Sequence, residues 1–344
     1  VAMSGGVDSS VAAARLFDAG FDVVGCTLHL WDYPEAGPGS HARCCAPEDQ
    51  YDARRVADAL GFPHFTFDRR DLFKKNVVDP FVEAYLAGET PSPCTACNRT
   101  VKLGELFAIA NKLGAEKVAT GHYARVDDEG RLYAGRDATK DQSYFLYATP
   151  TALLARMTFP LGESTKEEVR KEAVDRRLPG AGKGESQELC FVGEGAGAYS
   201  KFVEERAKEK LRPGPIVDHT GRVVGSHDGI HRFTVGQRKG IGVALGEPAF
   251  VTRIDAKNAT VHVGNKDGLR ATRATLRDVV LAPDVTLPRE ALARVRYRHA
   301  GVRARAENDT LEFLDAAGAV APGQVAVLYD GDRVLGGGII AEVS

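Results

Sequence analysis

The chain has 344 residues, of which 43% are hydrophobic and 27% charged. That length and composition fit two or three globular domains and exclude collagen, a coiled coil and a disordered chain. With 45 Lys plus Arg against 47 Asp plus Glu, the net charge is −2, so any surface for a polyanion must be a local patch. No apolar run reaches the roughly 18 residues of a membrane span. Six cysteines (Cys26, Cys44, Cys45, Cys94, Cys97 and Cys190) are too few for a disulfide scaffold of this size. No signal-peptide or lipidation pattern is read, and the expected compartment is the reducing cytoplasm. Only Val1, Ala2 and Met3 precede a glycine-rich loop, so the sequence is expected to begin partway along a first strand.

In chain order, Ser9-Ser10 is expected to cap a helix over Val11–Ala19 that stops at Gly20. A strand over Phe21–Leu30, a helix over Gln50–Leu60 and a strand over Phe62–Phe67 follow. Leu72–Leu86 has helical periodicity with a kink or break expected at Pro80. Thr100–Leu113 reads as a helix ended by Gly114, and Lys117–Gly121 as a short buried strand. Thr165 and Glu168 form a capping-box pattern opening a helix to about Arg177. Strands alternating with helices imply a parallel sheet with helices on both faces.

After about residue 195 the character changes. A charged helix is expected over Tyr199–Lys210, then short strands at Pro215–Val217, Gly229–Thr234, Ala249–Ile254 and Thr260–Val263. From about residue 270 the pattern is nearly all β, with a hairpin at Asp330-Gly331, which suggests a small barrel or sandwich. The expected domains are 1–195, 196–269 and 270–344.

Three motifs carry chemistry. Ser4-Gly5-Gly6-Val7-Asp8-Ser9 lies between a strand and a helix. Two glycines let backbone N–H groups and a helix N-terminus face a polyanion. It has no Gly-Lys-Ser/Thr of a Walker A loop and no Gly-x-Gly-x-x-Gly. Cys94-Thr-Ala-Cys97 precedes a helix, where the dipole and Arg99 would favour thiolate at Cys97. The same spacing also suits a metal clip, with Cys44-Cys45 as partners. Cys190, flanked by Leu189 and Phe191, reads alone as a small core residue. In company with the loop and a second thiol, it reads as a reactive sulfur.

The loop resembles the PP-loop of ATP pyrophosphatases. The whole chain resembles the tRNA-specific 2-thiouridylases, through Ser4–Ser9, Thr90–Asn98, Ala119–Arg125, Lys140–Leu146, Phe159–Gly162, Ser186–Val192 and Gly236–Gly240. The resemblance implies a Rossmann-like PP-loop domain, a small mixed α/β middle domain and a C-terminal β-barrel. It implies ATP-dependent replacement of O2 of a wobble uridine by sulfur in tRNAs of the Lys, Glu and Gln type, with Mg²⁺ on the phosphates.

By match to the family motifs, Cys190 is the persulfide carrier and Cys97 the second thiol. ATP contacts fall on Ala2, Met3, Ser4, Gly5, Gly6, Val7, Asp8, Ser9, Leu28 and Gly121. Contacts to the target base and to tRNA fall on Ser92, Pro93, Cys94, His122, Lys140, Asp141, Gln142, Arg296, Tyr297 and Gln324. Ser92 stands where Asn is expected, and Cys94 where the family has Asp or Cys. Asp141 is then a candidate proton-transfer helper, with an exposed charged loop as its alternative. Residues 270–305 hold nine Arg and three acidic residues, whereas 306–344 hold one Arg and seven acidic residues, a concentration suited to phosphate contacts.

A persulfide implies a sulfur donor, either a cysteine desulfurase or a relay protein. The chain is expected to be a monomer. Cys94, Cys97 and Cys190 as ligands of a [4Fe–4S] cluster remain an alternative. So do a PP-loop ligase acting on a small molecule and an RNA-binding module with an inactive nucleotide site.

Overall fold

A computed structural model provides the fold, and residues 1–32, 47–184, 189–193, 195, 197–243, 246 and 248–344 are described. Cys44, Cys45 and the Ser186–Glu188 part of the third motif lie outside the described residues. The chain divides into two compact units. One comprises residues 1–78, 94–191 and 332–334; the other comprises 79–93, 192–331 and 335–344.

The first unit is built on a parallel sheet. Strand β1 (Gly25–His29) pairs in parallel with β2 (His64–Asp68). On its other side, residues 1–3 run alongside β1: Cys26 N–H donates to Val1 O and Met3 N–H to Cys26 O, each at 2.8 Å. Ala2 N–H donates to Ala119 O at 2.8 Å. That bond joins the segment to β3 (Val118–Ala119), itself paired in parallel with β6 (Met157–Thr158). The order across the sheet is therefore β2, β1, the 1–3 segment, β3, β6. Chain order reverses beside the 1–3 segment, the doubly wound arrangement that opens a crevice at the carboxyl ends of the strands. A hairpin of β4 (Ala124–Val126) and β5 (Leu132–Ala134) follows β3.

Helix α1 spans Val7–Asp18 and starts four residues earlier than expected. Its N-cap is Gly6, and no side chain caps it. The hydroxyls of Ser9 and Ser10 instead donate to Gly6 O, each at 3.0 Å. The helix can begin directly after the loop because its first N–H groups need not be closed by a side chain if they are to face a ligand. Ala12, Ala13 and Ala14 are fully buried, and these small side chains let α1 pack closely on both its neighbours. Those neighbours are α2 (Pro47–Leu60) and α8 (Lys166–Asp175). The capping box opening α8 is complete, with Glu168 N–H donating to Thr165 Oγ1 and Thr165 N–H to Glu168 Oε2.

The break at Pro80 takes the form of a π-helical turn at Lys74–Val78, between α3 (Arg70–Phe73) and α4 (Asp79–Leu86). A ring without an N–H cannot continue the regular ladder, and the preceding turn widens to accommodate it. Helix α5 (Pro93–Cys97) runs through a second such turn (Asn98–Lys102) into α6 (Leu103–Leu113), which ends at Gly114 with φ +68°. A short α7 (Thr151–Leu154) precedes β6.

In the second unit α4 packs on α9 (Ala198–Ala207), with Phe81 edge-on to Phe202 and Tyr85 stacked on Tyr199. A four-stranded sheet follows in the order β8 (Val223–His227), β7 (Gly214–Val217), β10 (Thr260–Gly264), β9 (Phe250–Asp255). The strand expected over Gly229–Thr234 is instead a 3₁₀ turn at Ile230–Arg232. Ile230 and Phe233 both enter the same core, and residues three apart share a face in a 3₁₀ turn but not in a strand.

The C-terminal strands are β11 (Arg273–Leu281), β12 (Arg289–Arg294), β13 (Val302–Glu307), β14 (Thr310–Phe313), β15 (Val325–Asp330) and β16 (Arg333–Val343). They follow the order β11-β14-β13-β12-β15-β16, and β11 pairs with β16 to close a six-stranded barrel. Small buried residues on β13 (Val302, Ala304, Ala306) alternate with exposed Arg303, Arg305 and Glu307. A Cβ at Gly337 would lie 2.2 Å from Ala326 O, so only glycine permits that approach of the barrel strands.

The capping box gives a local test. Thr165→Ala should lower the stability of the first unit by about 1 kcal/mol. Trp31 is the sole tryptophan and lies in that unit, so urea titration followed by its fluorescence reads the change.

Candidate active site

The glycine-rich loop emerges from the 1–3 segment at the crevice where strand order reverses. Gly5 has φ +74°, and a Cβ there would lie 2.0 Å from Asp49 O at the start of α2. Gly121 follows β3 on the other side of the crevice. A Cβ at Gly121 would lie 2.9 Å from Ser9 N and 3.0 Å from the Asp8 carbonyl carbon. Both neighbours are backbone, so the loop fits only against glycine. Ser4 N–H donates to Ser9 Oγ at 3.1 Å, closing the loop on the first turn of α1. The resulting nest and the positive end of α1 form a cradle for a polyphosphate.

Ala2 and Met3 contribute backbone to the sheet, and the Met3 side chain is buried. Leu28 is likewise buried in the core near the carboxyl end of β1. Thr27 Oγ1 donates to Met3 O at 2.6 Å, fixing the strand that leads into the loop.

Asp8 sits in the first turn of α1 and is held from two sides. The Tyr123 hydroxyl donates to Oδ1 at 2.8 Å. Lys166 Nζ donates to both carboxylate oxygens, each at 2.7 Å. Lys166 is buried at the first position of α8. The sequence reading missed it, because it lies 158 residues from Asp8. The available signal was the capping box, which places residue 166 at a helix start.

Tyr123 is tied in turn to the 135–143 loop. Gln142 Oε1 accepts from Tyr123 N–H at 3.1 Å, and Gln142 N–H donates to Tyr123 O at 2.8 Å. Asp141 is buried, and its Oδ1 accepts the N–H groups of Gly135 (3.1 Å) and Ser143 (3.0 Å). The alternative of an exposed charged loop is thereby excluded: Asp141 shapes the turn that carries Lys140 and Gln142. His122 follows Gly121, and its Nδ1 lies 2.7 Å from Thr120 Oγ1. The residue keeps some exposed surface, but its imidazole is enclosed by protein. That burial, with the Lys102 charge second, pushes its pKa down to about 3.

The thiols fall into distinct settings. Cys26 on β1 is a buried core residue whose thiol is pushed up by burial, with no sign of reactivity. Cys94 is exposed in the first turn of α5, and Cys97 is buried at the helix's last residue. The expectation of Cys97 at a helix N-terminus is corrected: helical structure begins at Pro93. A dipole effect that fades within one turn applies better to Cys94. Cys190 is half-buried. Its neighbour Phe191 packs edge-on against Phe73 and Trp31, with ring centroids at 5.6 and 6.2 Å. The first unit thus contains the loop, Gly121, His122, residues 140–142 and all three candidate thiols. Among the described residues no group of three or more His, Cys, Asp or Glu is placed to hold a metal ion.

In the second unit, Gln324 Nε2 donates to Thr90 O at 2.9 Å, and Thr90 N–H donates to Pro322 O at 2.8 Å. Gln324 thus braces the stretch that leads to Ser92 and Pro93. Much of the arginine-rich segment is engaged locally: Arg277 with Glu89, Arg289 with Asp330, Arg303 with Asp315, Arg270 with Asp267. Arg296 is exposed beside half-buried Tyr297.

Compared with known proteins, the chain is 62% identical over 353 residues to the tRNA-specific 2-thiouridylase MnmA of Sorangium cellulosum, covering 99% of this chain and 91% of the relative. It is 47% identical to the protein of that name from Moorella thermoacetica, covering 100% and 99%. The chain belongs to the tRNA-specific 2-thiouridylase family. Family models described as a tRNA methyl transferase HUP domain, a tRNA methyl transferase PRC-barrel domain and an aminomethyltransferase beta-barrel domain match residues 1–194, 200–265 and 269–340. The HUP match covers the crevice, the loop and both Cys97 and Cys190.

Two measurements test the site. Gly121→Ala should weaken ATP binding by at least about tenfold, because a displaced loop misplaces every phosphate contact; calorimetry with ATP reads it, and unchanged affinity would refute the packing argument. His122 should stay neutral from pH 8 to pH 5, seen as imidazole NMR shifts that do not move. Its folded pKa lies below the unfolded value, so its effect on stability is absent above about pH 6.5 and grows as an increasing penalty as pH falls toward 3.

Proposed function

We propose that this chain is an ATP-dependent tRNA uridine 2-sulfurtransferase. The observation that carries the proposal is the presence of a PP-loop crevice and two candidate sulfur residues in a single unit, within a chain similar along its whole length to 2-thiouridylases.

The chemistry needs both parts. A uracil C2 carbonyl is a poor electrophile because its oxygen leaves badly. Attack of O2 on the α-phosphorus of ATP forms an O2–P bond and expels pyrophosphate, so that AMP becomes the leaving group. The loop N–H groups and the α1 N-terminus hold the triphosphate. A Mg²⁺ accompanying the nucleotide would be held by the partly exposed Asp8 carboxylate, an oxygen donor of the kind Mg²⁺ takes alongside phosphate oxygens, and would neutralise phosphate charge.

Cys190 receives sulfane sulfur from a donor protein, a cysteine desulfurase or a relay carrier, and holds it as a persulfide. Cys97 then attacks the inner sulfur of that persulfide. Sulfide is released, a Cys97–Cys190 disulfide forms, and the sulfide adds to C2 and displaces AMP. A dithiol reductant restores the two thiols. In the alternative route the terminal persulfide sulfur attacks C2 directly. Ser92, Pro93, Cys94, His122 and the Lys140–Gln142 turn contact the target base and anticodon loop, with neutral His122 serving as a hydrogen-bonding group rather than a charge. Arg296, Tyr297 and Gln324 contact tRNA from the second unit: Arg296 through phosphate, Tyr297 by stacking. The three expected domains divide the work into activation and sulfur transfer (1–195) and tRNA contact (196–269 and 270–344). No helix of the described residues is long and apolar enough to cross a membrane. The proposed setting is a cytoplasmic monomer acting on tRNA for Lys, Glu and Gln.

Mass spectrometry of the wobble nucleoside decides the matter. tRNA incubated with ATP and a sulfur donor should gain 2-thiouridine with the wild type and none with Cys97→Ala or Cys190→Ala. Both variants should retain tRNA-dependent ATP–pyrophosphate exchange. No thiolation by the wild type, together with ATP-dependent ligation of a small molecule that survives Cys190→Ser, would instead point to a PP-loop ligase with no use for the thiol.

A further inference from the structure

We propose that Lys166 is a catalytic residue of the adenylation step, the cation that holds the β- and γ-phosphates and stabilises pyrophosphate as it leaves. The inference rests on the reading of the crevice as an ATP site and adds to it a residue that neither the loop motif nor the thiol motifs contain.

The loop motif brings no lysine of its own, and phosphoryl-transfer sites commonly add an Arg or Lys clamp to backbone N–H groups and Mg²⁺ where charge develops. The tertiary structure supplies one. Lys166 Nζ lies 2.7 Å from both oxygens of Asp8, which belongs to the first turn of the helix that ends the cradle. Only 10% of its side chain is exposed. The residue is fixed at its base as well: its backbone N–H donates to Asp137 Oδ2 at 3.0 Å, and the Thr165–Glu168 box sets the start of its helix. The ammonium also lies 5.9 Å from the centre of the Tyr123 ring, whose hydroxyl holds Asp8.

Such a pair is a costly way to join two helices. The lysine side is desolvated while the Asp8 carboxylate is partly exposed, so the attraction must offset the cost of burying the ammonium, and an apolar contact of equal volume would serve packing as well. The geometry suits exchange of partners instead. Asp8 holds Lys166 at the mouth of the loop, and incoming phosphate oxygens compete for the ammonium and free the carboxylate. When the uridine O2–Pα bond forms and the bond from Pα to the bridging oxygen breaks, charge gathers on pyrophosphate, and Lys166 donates hydrogen bonds to it.

The test uses the full-length protein, with inorganic pyrophosphate in Mg²⁺ as the probe. Asp8→Asn removes the competing carboxylate and, because it also removes the proposed Mg²⁺ ligand, serves as the reference against which the effect of Lys166 is read. Asp8→Asn/Lys166→Met, which leaves no unpaired buried charge, should bind pyrophosphate about 10–100-fold more weakly than Asp8→Asn. Equal affinity of those two variants would overturn the proposal, since a lysine that only balances Asp8 has no effect once Asp8 is neutral. Lys166→Met alone should lose tRNA-dependent ATP–pyrophosphate exchange while keeping wild-type tRNA affinity and wild-type loading of persulfide on Cys190. Exchange at the wild-type rate would also overturn it. If the wild type shows no tRNA-dependent exchange but pyrophosphate affinity still falls with Lys166, the thiolation reading fails and the phosphate role of Lys166 stands.

Discussion

The hydrogen bonds on either side of residues 1–3 govern the first unit. Cys26 and Val1 bond on one edge, Ala2 and Ala119 on the other, and this short segment becomes the central strand of a parallel sheet. Its neighbours on the two sides come from different directions in chain order. That reversal opens a crevice at the carboxyl ends, and the residues after Met3 and after Ala119 face each other across it. The PP-loop and Gly121 are consequently in backbone contact although 112 or more residues separate them in the chain. Everything proposed about nucleotide chemistry depends on that approach.

A second layer of constraint runs outward from the crevice through polar contacts. Tyr123 and Lys166 hold Asp8; Gln142 holds Tyr123; Asp141 shapes the turn that carries Gln142. The turn expected to meet the target base is thus connected to the loop expected to meet ATP through four side chains. The physical consequence is preorganisation, since groups fixed by their neighbours need not be ordered when substrate arrives. The aromatic contacts of Phe191 with Phe73 and Trp31 give the Cys190 end a comparable anchor.

The arginine-rich barrel segment shows how local charge counts mislead. Nine arginines in residues 270–305 suggest a strongly cationic face. Folding returns the acidic residues of the following segment to the same barrel, where Asp330 and Asp315 engage Arg289 and Arg303. Antiparallel strands place distant residues side by side, so a charge imbalance along the chain is partly cancelled in space. Exposed Arg296 beside Tyr297 is the part of the segment with the chemistry of an RNA contact.

Local signals were legible in the sequence where a few adjacent residues decide the outcome. The capping box at Thr165–Glu168, the stop at Gly114, the break before Pro80, the hairpin at Asp330-Gly331 and the loop-to-helix motif all depend on φ preferences and on hydrogen bonds within a turn. Tertiary structure decided what depends on distant partners. It made Ile230–Phe233 a 3₁₀ turn because both side chains share one core, and it closed the barrel through β11 and β16 rather than leaving an open sandwich. It moved Cys97 from the first turn to an interior helical position by extending the helix back to Pro93, and it delivered Lys166 to Asp8. Propensity acts over a few residues, whereas burial and ion pairing act between surfaces that only the completed fold brings together.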